Sequence, residues 1–285
     1  MLDALVQHCA EKNVIAIEDV TLPLLENWRN GWEFSRETAR KKQHILKGFF
    51  EYALQRDHIT KNPAKGLGKI KGSDRKPTLP LDDAQFAQLL AAIPKLNGQT
   101  TDDTRTKLRG ICLLQRWTGL AIKDAVLFER KRLQKDSHGY FQVFLYRAKT
   151  GNPVYCMLRA DVAEELLAIP NTSERYMFIT HRPTGERELE TLIAWWASRA
   201  RRVGELAELK NDHGEPMVFG THMLRDSFAI WALNQGFALE EVAALLGDSP
   251  KVVADHYAPW VKTRQDVLTK KMRAALSGPS IAKRA

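Results

Sequence analysis

The sequence predicts a mainly helical α+β protein that contains one small antiparallel β-sheet or hairpin. Apolar residues recur at helical spacing through most of the 285 residues. One segment, 139–158, instead has two runs of aromatic and β-branched residues on either side of a TGN turn, as in a β-hairpin. Another segment, Lys69–Leu81, mixes basic residues with Gly72, Pro77 and Pro80 and has little apolar content, which is typical of a linker.

The chain is long enough for two domains, the larger with a sizeable core. We expect a small all-helical domain in residues 1–70, a basic linker at 71–80 and a second domain in 81–285. In the first domain, Ser35 is predicted to cap a long amphipathic helix, with Thr38 in place of the usual Glu or Gln of a capping box. Two shorter helices are predicted to precede it, at Leu2–Lys12 and Leu22–Gly31.

The second domain is predicted to be helical on both sides of the hairpin. Before the hairpin, amphipathic helices are expected at Asp82–Ile93 and Leu108–Trp117. Helical patterns dominate after Asp161, and Gly247 is the expected C′ residue of a helix at Leu239–Leu246. A basic amphipathic helix is expected at Val261–Leu276.

The net charge of +9 is concentrated in one region. Residues 36–76 contain 12 Lys and Arg against 4 Asp and Glu, a surplus of 8. Such a local surplus is typical of a surface that binds a polyanion, although a solvated basic face without a partner has the same composition. An acidic membrane surface is less favoured, because the neighbouring apolar residues fit a core.

Other features narrow the class of protein further. No apolar stretch approaches the ~20 residues that a membrane span requires, and the start of the chain lacks the basic and apolar regions of a signal peptide. Cys9, Cys112 and Cys156 form an odd, widely spaced set without the spacing of a metal site. We therefore expect reduced thiols, no metal, no cofactor and a cytoplasmic protein.

An imidazole and a guanidinium stand three residues apart in GTHMLRDSFAIWALNQG, residues 220–236. His222 and Arg225 are predicted to lie in the first turn of a helix and on one face of it. Unpaired backbone N–H groups and the positive end of the helix dipole lie at the same end, so the combination suits an anion, phosphate above all. The alternative is a surface His and Arg that only flank a core helix.

Several motifs occur in an order and spacing that resemble the tyrosine recombinase (phage integrase) family along essentially the whole chain. They are the basic helical region with NPAKGL, the TGL of residues 118–120, Lys149 at the hairpin turn, HMLR, LLGDS and the late Tyr257. TGL or a hairpin lysine alone is a weak signal, whereas HxxR, LLGxS and a late Tyr at this spacing are specific. The resemblance implies a SAM-like helical core-binding domain followed by an integrase-type catalytic domain.

The resemblance also implies a site-specific recombinase that cleaves and rejoins DNA through a 3′-phosphotyrosyl intermediate. Tyr257 would be the nucleophile, and the covalent link would keep the energy of the phosphodiester bond; a packed core aromatic is the alternative for this residue. Arg225 would hold two phosphate oxygens, and His222 would donate to the phosphate or take up a proton. Lys149 matches the family's general acid for the leaving 5′-oxygen, although an exposed turn lysine fits its position equally well.

One position that departs from the family pattern is Ala121, which stands where the first catalytic arginine normally follows TGL. Arg116 is the predicted replacement, and Lys123 is a second, weaker candidate. An ordinary helix-end cation is the alternative for Arg116. Asp124 stands where the family keeps an acidic residue that supports the arginine.

The other departure is Asp248, which stands where the family usually has His or Trp after LLG. A carboxylate cannot donate to phosphate at neutral pH. We therefore expect Asp248 to orient a neighbour, His256 or His222, within the catalytic set.

Double-stranded DNA is the implied partner, with most of the affinity coming from Lys and Arg on phosphates. Candidate contacts lie on the long helix of the first domain and in the linker: Arg40, Lys41, Lys47, Lys71, Arg75 and Lys76. The resemblance implies that the helix at 261–276 docks on a neighbouring protomer and that a tetramer assembles on DNA. An intramolecular C-terminal helix is the alternative. A nucleoid-associated bacterial protein of a mobile element fits these features.

Two other functions stay open at this point. Ala121 and Asp248 are compatible with a recombinase homologue that has lost catalysis and acts as a DNA-binding or architectural protein. A type IB topoisomerase-like enzyme shares the chemistry but would relax DNA as a monomer without site preference.

Overall fold

The chain divides into two compact units, Met1–Pro77 and Thr78–Ala285, at a point inside the segment 71–80. The structure is a computed structural model that describes residues 1–72, 80–98, 100–170, 172–211, 213–257, 269 and 272–273. Across these ranges, no helix is both long enough and apolar enough to cross a bilayer.

The first unit consists of three helices around a small apolar core. They are α1 (Leu2–Glu11), α2 (Leu22–Asn30) and α3 (Arg36–Gln55), with 3₁₀ turns at Ile17–Asp19 and Pro63–Gly66. The Ser35 side chain accepts a hydrogen bond from the Thr38 backbone N–H, which confirms the predicted N-cap. Leu25, Leu46 and Phe50 are fully buried, so the apolar face of α3 is committed to the core and leaves its basic face outside.

The second unit is mainly helical, as predicted. Its helices are α4 (Asp83–Ala92), α5 (Asp102–Thr118), α6 (Ile122–Val126), α7 (Ala160–Leu167), α8 (Glu186–Leu206), α9 (His222–Asn234), α10 (Leu239–Leu246) and α11 (Pro250–Tyr257). The bounds of α10 agree with the prediction, because Gly247 ends that helix in the left-handed conformation.

A three-stranded antiparallel sheet takes the place of the predicted hairpin. Strands β1 (Leu133–Lys135), β2 (Phe141–Tyr146) and β3 (Pro153–Leu158) lie in the order β1-β2-β3. In the register of β2 and β3, Val143 lies opposite Cys156 and Leu145 opposite Val154, and all four side chains are buried. The hairpin was predicted correctly, whereas the three-residue β1 is too short to give a period-two signal.

Helix α5 begins six residues before the predicted start at Leu108. The Thr101 side chain accepts a hydrogen bond from the Thr104 backbone N–H, and Asp102 and Asp103 occupy the first turn. This capping residue and the acidic first turn stabilise a helix start that the apolar spacing alone does not mark.

Helices α5 and α9 pack against each other at the centre of the second unit. Nearly all side chains from Lys107 to Thr118 of α5 and from Met223 to Leu233 of α9 are buried. Trp117 and Trp231 meet edge to face at 5.8 Å between ring centroids. This packing fixes the start of α9, where Arg225 lies, relative to the end of α5, where Gly119 lies.

The predicted helix at 261–276 lies outside the described residues, except for 269 and 272–273, which are helical.

Candidate active site

The N-terminus of α9 contains His222 and Arg225 in its first turn, as the sequence predicts. His222 is the first residue of the helix and is exposed, whereas Arg225 is only 3% exposed. The following residues of α9 are packed in the core. The helix therefore presents an accessible imidazole one turn before a buried guanidinium.

The guanidinium of Arg225 links the C-terminal ends of two other helices. Its Nη1 donates to the carbonyl of Gly119, which follows α5. Its Nη2 donates to the carbonyl of Leu246, the last residue of α10, over 3.0 Å. Carbonyls at helix C-termini carry partial negative charge and have no partner inside their helix, so a buried cation is favourable there.

Two glycines allow this close approach of helix ends. Gly119 has φ +67° and Gly247 has φ +63°, both in the left-handed region. A Cβ on Gly119 would lie 2.5 Å from side-chain carbons of Leu246 and Phe228, and one on Gly247 would lie 2.6 Å from Cδ of Arg147. Backbone conformation and space both require glycine at these positions.

A second buried guanidinium, that of Arg147, lies at the same place and was not predicted. Arg147 follows β2 and is 8% exposed. Its Nη1 donates to the Leu246 carbonyl at 3.2 Å and to Oδ1 of Asp248 at 2.8 Å, and its Nε lies 3.4 Å from Oδ2 of Asp124. Arg147 and Arg225 thus share one helix-end carbonyl.

The strand pattern contains a signal that points to Arg147. Val143 and Leu145 are buried on one face of β2, and period-two alternation puts Arg147 on that same face. An arginine directed into a core needs an anionic partner. The pattern therefore predicts a buried acidic partner for Arg147, and in the structure Asp124 is one such partner.

Asp124 on α6 holds the end of the hairpin at the site. Its Oδ1 accepts a 2.7 Å hydrogen bond from the backbone N–H of Ala148, in addition to the contact of Oδ2 with Arg147. The sequence assigns Asp124 to the support of an arginine near Ala121. In the structure the supported arginine is Arg147, which comes from the hairpin.

The structure corrects the expected partner of Asp248. Its Oδ2 accepts from Nη2 of Arg225 at 2.5 Å and its Oδ1 accepts from Nη1 of Arg147. The expected contact with His256 or His222 is replaced by two ion pairs. The reason is local: the residue after Gly247 lies at the C-terminus of α10, where both guanidinium groups already donate to a carbonyl.

Tyr257 ends α11, and its side chain is buried in an apolar cluster with Phe228 and Val253. Its hydroxyl donates a 2.9 Å hydrogen bond to Oδ1 of Asp226. Burial raises the pKa of the phenol well above its usual range, and the charge of Asp226 and the hydrogen bond to it raise the pKa further, while the charge of Arg225 opposes them.

Asp226 was not predicted as a site residue, although the sequence contained a signal for it. It is 6% exposed in a run of α9 that is otherwise largely apolar. A carboxylate in such a run has to find a buried donor or cation. In the structure one donor is the phenol of Tyr257.

Lys149 lies in the six-residue loop 147–152 that joins β2 and β3, and it is exposed. The loop closes through the hydrogen bonds Gly151 N–H to Arg147 carbonyl, 2.9 Å, and Arg147 N–H to Asn152 carbonyl, 2.8 Å. Lys149 is therefore two residues from a guanidinium of the site and on an accessible turn.

The expected placement of Arg116 is corrected by the structure. Its Nη2 donates to Oδ1 of Asp83 at 2.9 Å, and its guanidinium carbon lies 4.5 Å from the ring centre of Trp117. Arg116 is directed from α5 toward α4, whereas Arg147 joins Arg225 as a guanidinium that contacts Asp248. The weaker candidate Lys123 is half-buried on α6.

The predicted DNA contacts of the first unit differ in their surroundings. Arg40 donates through Nε to the carbonyl of Ile70 at 3.0 Å, and Lys47 donates to the carbonyl of Leu67 at 2.9 Å. Lys41 and Lys71 are exposed. Arg75 and Lys76 lie outside the described residues.

All three cysteines are free thiols, as predicted, and all three are buried in the structure. Burial raises the pKa of Cys112 and Cys156 to about 12 in each case, so both stay protonated at neutral pH. No cluster of three or more His, Cys, Asp or Glu residues suited to a metal ion occurs in the described part of the chain.

The helices around this small sheet form the fold of the tyrosine recombinases. Similar solved structures are XerH site-specific recombinase bound to difH substrate before cleavage (TM-score 0.66, 17% identity, 93% of this chain and 76% of that one), a lambda integrase tetramer bound to a Holliday junction (0.61, 17%, 87% and 70%), and the Tn1549 transposon integrase with circular intermediate DNA (0.55, 17%, 86% and 83%). No family model matches the sequence, and no curated protein matches it.

Proposed function

We propose that this chain is a site-specific DNA recombinase that cleaves and rejoins DNA through a 3′-phosphotyrosyl intermediate on Tyr257. The observation that carries the proposal is the position of the Tyr257 hydroxyl, which is hydrogen-bonded to Asp226, the residue directly after Arg225 on α9. A nucleophilic phenol, a proton acceptor and a phosphate-binding cation are the groups that such a transfer needs.

In the proposed step, the Tyr257 oxygen forms a bond to phosphorus while the bond between phosphorus and the 5′-oxygen breaks. The phenolic proton passes to the carboxylate of Asp226, and the ammonium of Lys149 gives a proton to the leaving 5′-oxygen. Arg225 and His222 donate hydrogen bonds to the non-bridging oxygens, where negative charge collects. Attack by the 5′-hydroxyl of another strand reverses these transfers and releases the tyrosine.

The basic first unit is proposed to hold double-stranded DNA. Its charge surplus and the exposed Lys41 and Lys71 suit phosphate contacts, so affinity should fall steeply with salt. All three solved structures named above are complexes with DNA. The lambda integrase complex is a tetramer on a Holliday junction, and we propose the same kind of assembly here, through the helix at 261–276.

Covalent trapping tests the proposal without knowledge of the target site. Duplexes with a randomised core and one central nick are incubated with the protein, and complexes that survive detergent are isolated and sequenced. A nick next to the cleaved bond lets the short 5′-product leave, so the covalent link accumulates. We expect a recurring sequence in the trapped DNA and no trapping by Tyr257→Phe. Tyr176→Phe, at another buried tyrosine, is the matched control and should trap normally.

A catalytically impaired DNA-binding protein is the second candidate, and Ala121 is the residue that favours it. That protein would shift the same duplexes in a gel without covalent complexes. A relaxing enzyme of the type IB topoisomerase kind would instead trap duplexes without a recurring sequence and would relax any supercoiled plasmid.

A further inference from the structure

Asp248 bridges two buried cations in the way an oxyanion would. Each of its carboxylate oxygens accepts from a different guanidinium, Oδ1 from Arg147 at 2.8 Å and Oδ2 from Arg225 at 2.5 Å. A phosphodiester also carries one negative charge and two non-bridging oxygens that accept hydrogen bonds. The bridging carboxylate therefore matches in charge and acceptor number the group that the proposed reaction has to bind.

The Asp248 carboxylate is more exposed to solvent than the two guanidinium groups that it joins. The side chains of Arg225 and Arg147 are 4% and 8% exposed, whereas that of Asp248 is 22% exposed. Asp248 is thus the member of the cluster nearest to solvent, and moving it would open access to both guanidinium groups. Two buried cations that lie side by side need a nearby anion. Of these two cations, Asp124 contacts only Arg147, over a long 3.4 Å, and so does not neutralise both.

The backbone around Asp248 suits such a movement. Gly247 ends α10 in a left-handed conformation, and α11 begins at Pro250, so Asp248 lies in the three-residue link 247–249 between the two helices. By contrast, Arg225 is fixed on the central helix α9, and Arg147 is fixed by Asp124 and by the carbonyl of Leu246. The two guanidinium groups are therefore held by packed elements of the fold, whereas the Asp248 carboxylate lies on a short link between α10 and α11.

We propose that Arg147 and Arg225 form an oxyanion-binding pair, in which Arg147 supplies the cation absent at Ala121, and that the Asp248 carboxylate occupies the anion position until a phosphate displaces it. The identification of that phosphate as the scissile phosphate of DNA rests on the proposed function. The oxyanion pair itself rests on the geometry alone. Asp248 then sets a threshold: only a phosphate brought in by a bound duplex competes with an internal carboxylate.

Binding of inorganic phosphate tests the pair directly. In isothermal titration, Asp248→Ala should bind phosphate about tenfold or more tightly than the wild type, since the competing ion-paired hydrogen bonds are gone. The double variant Asp248→Ala/Arg147→Ala should lose this gain. Asp255→Ala, at an exposed aspartate paired with Lys251 on α11, is the matched control and should behave as wild type.

If the alanine variant does not fold, the isosteric Asp248→Asn is titrated with phosphate in the same way, and it too should bind phosphate more tightly than the wild type. Phosphate affinity equal to that of the wild type in the folded Asp248 variants would overturn the proposal.

Covalent trapping on the nicked duplexes then distinguishes failure of the oxyanion pair from failure of the proposed function. With an active wild type, Arg147→Ala should slow trapping on the order of 10³-fold and Arg147→Lys should recover part of the rate. A wild type that never traps DNA refutes the proposed function, while a phosphate gain in Asp248→Ala still supports the pair.

Discussion

The hydroxyl of Tyr257 donates a 2.9 Å hydrogen bond to Asp226, the residue that follows Arg225 on α9. One turn of helix therefore carries both Arg225, the proposed phosphate-binding cation, and the carboxylate that accepts the hydrogen bond of the phenol. The same contact keeps the phenol neutral, because burial and the negative charge of Asp226 both raise its pKa. Asp226 thus favours the protonated phenol, and in the proposed reaction it is also the group that takes the phenolic proton.

Asp226→Asn should slow covalent trapping on the order of 10²–10⁴-fold, because the side chain keeps its shape but can no longer accept a proton. The residual rate should increase with pH, since a base from solvent then has to remove the proton. Single-turnover trapping on nicked duplexes over a range of pH measures both effects. Asp255→Asn on α11 is the control. A rate equal to that of the wild type would remove Asp226 from the mechanism.

The raised pKa of Tyr257 predicts a loss of stability at alkaline pH. The folded state keeps the phenolic proton above about pH 10, where an unfolded tyrosine loses it. The folded protein then binds more protons than the unfolded one, so the free energy of unfolding falls as pH rises from that point toward the folded pKa. Urea unfolding across this range should show a shallower fall for Tyr257→Phe.

Tyr155→Phe provides the comparison for that experiment, because Tyr155 is exposed on β3. Its pH dependence should follow the wild type. Identical pH dependence in Tyr257→Phe and the wild type would mean that burial and Asp226 do not raise the pKa of Tyr257 in solution.

Much of the fold follows from sequence signals that act locally. Ser35 and Gly247 mark the ends of α3 and α10, because an N-cap and a left-handed C′ residue each depend on a few neighbouring atoms. The start of α5 at Asp102 was misplaced because it depends on the Thr101 cap, which lies outside the apolar repeat. The short β1 exists because β2 pairs with it.

The site was harder to predict because its cations come from separate elements. The place of Arg225 in the first turn of a helix could be predicted, because His222, the backbone turn and the helix are contiguous in sequence. Arg116 was assigned by nearness in sequence to Ala121, but its position on α5 directs it to Asp83. Arg147 lies 26 residues after Ala121 in the sequence. It reaches the site because the sheet packs against α10. The position of Arg147 beside Arg225 depends on tertiary packing, which motif spacing does not encode.

Gly247→Ala should lower the free energy of unfolding by about 2–4 kcal/mol. About 1–2 kcal/mol comes from the left-handed backbone and the rest from overlap with Arg147 and Val154. Gly139→Ala has a similar φ of +84° but no atom within 4 Å of the added carbon, so only the backbone cost of ~1–2 kcal/mol applies. Denaturant unfolding of both variants measures the difference. Equal losses would show that Arg147 does not lie beneath Gly247.

Arg116→Met should leave covalent trapping unchanged, because Arg116 pairs with Asp83 and not with the site. Stability should change by less than about 1 kcal/mol, since the partner carboxylate is itself mostly exposed and keeps its hydration. Trapping kinetics and urea unfolding provide the two readouts. A folded Arg116→Met variant without trapping activity would return the missing catalytic cation to Arg116.

The identity of the residue that becomes attached to DNA is the most direct test of the central claim. Trapped complexes are digested with protease and nuclease, and the peptide that carries a nucleotide is sequenced by mass spectrometry. The account predicts a 3′-nucleotide on Tyr257, with a free 5′-hydroxyl on the released strand. A nucleotide on any other residue, or a 5′-linked nucleotide on Tyr257, would contradict it.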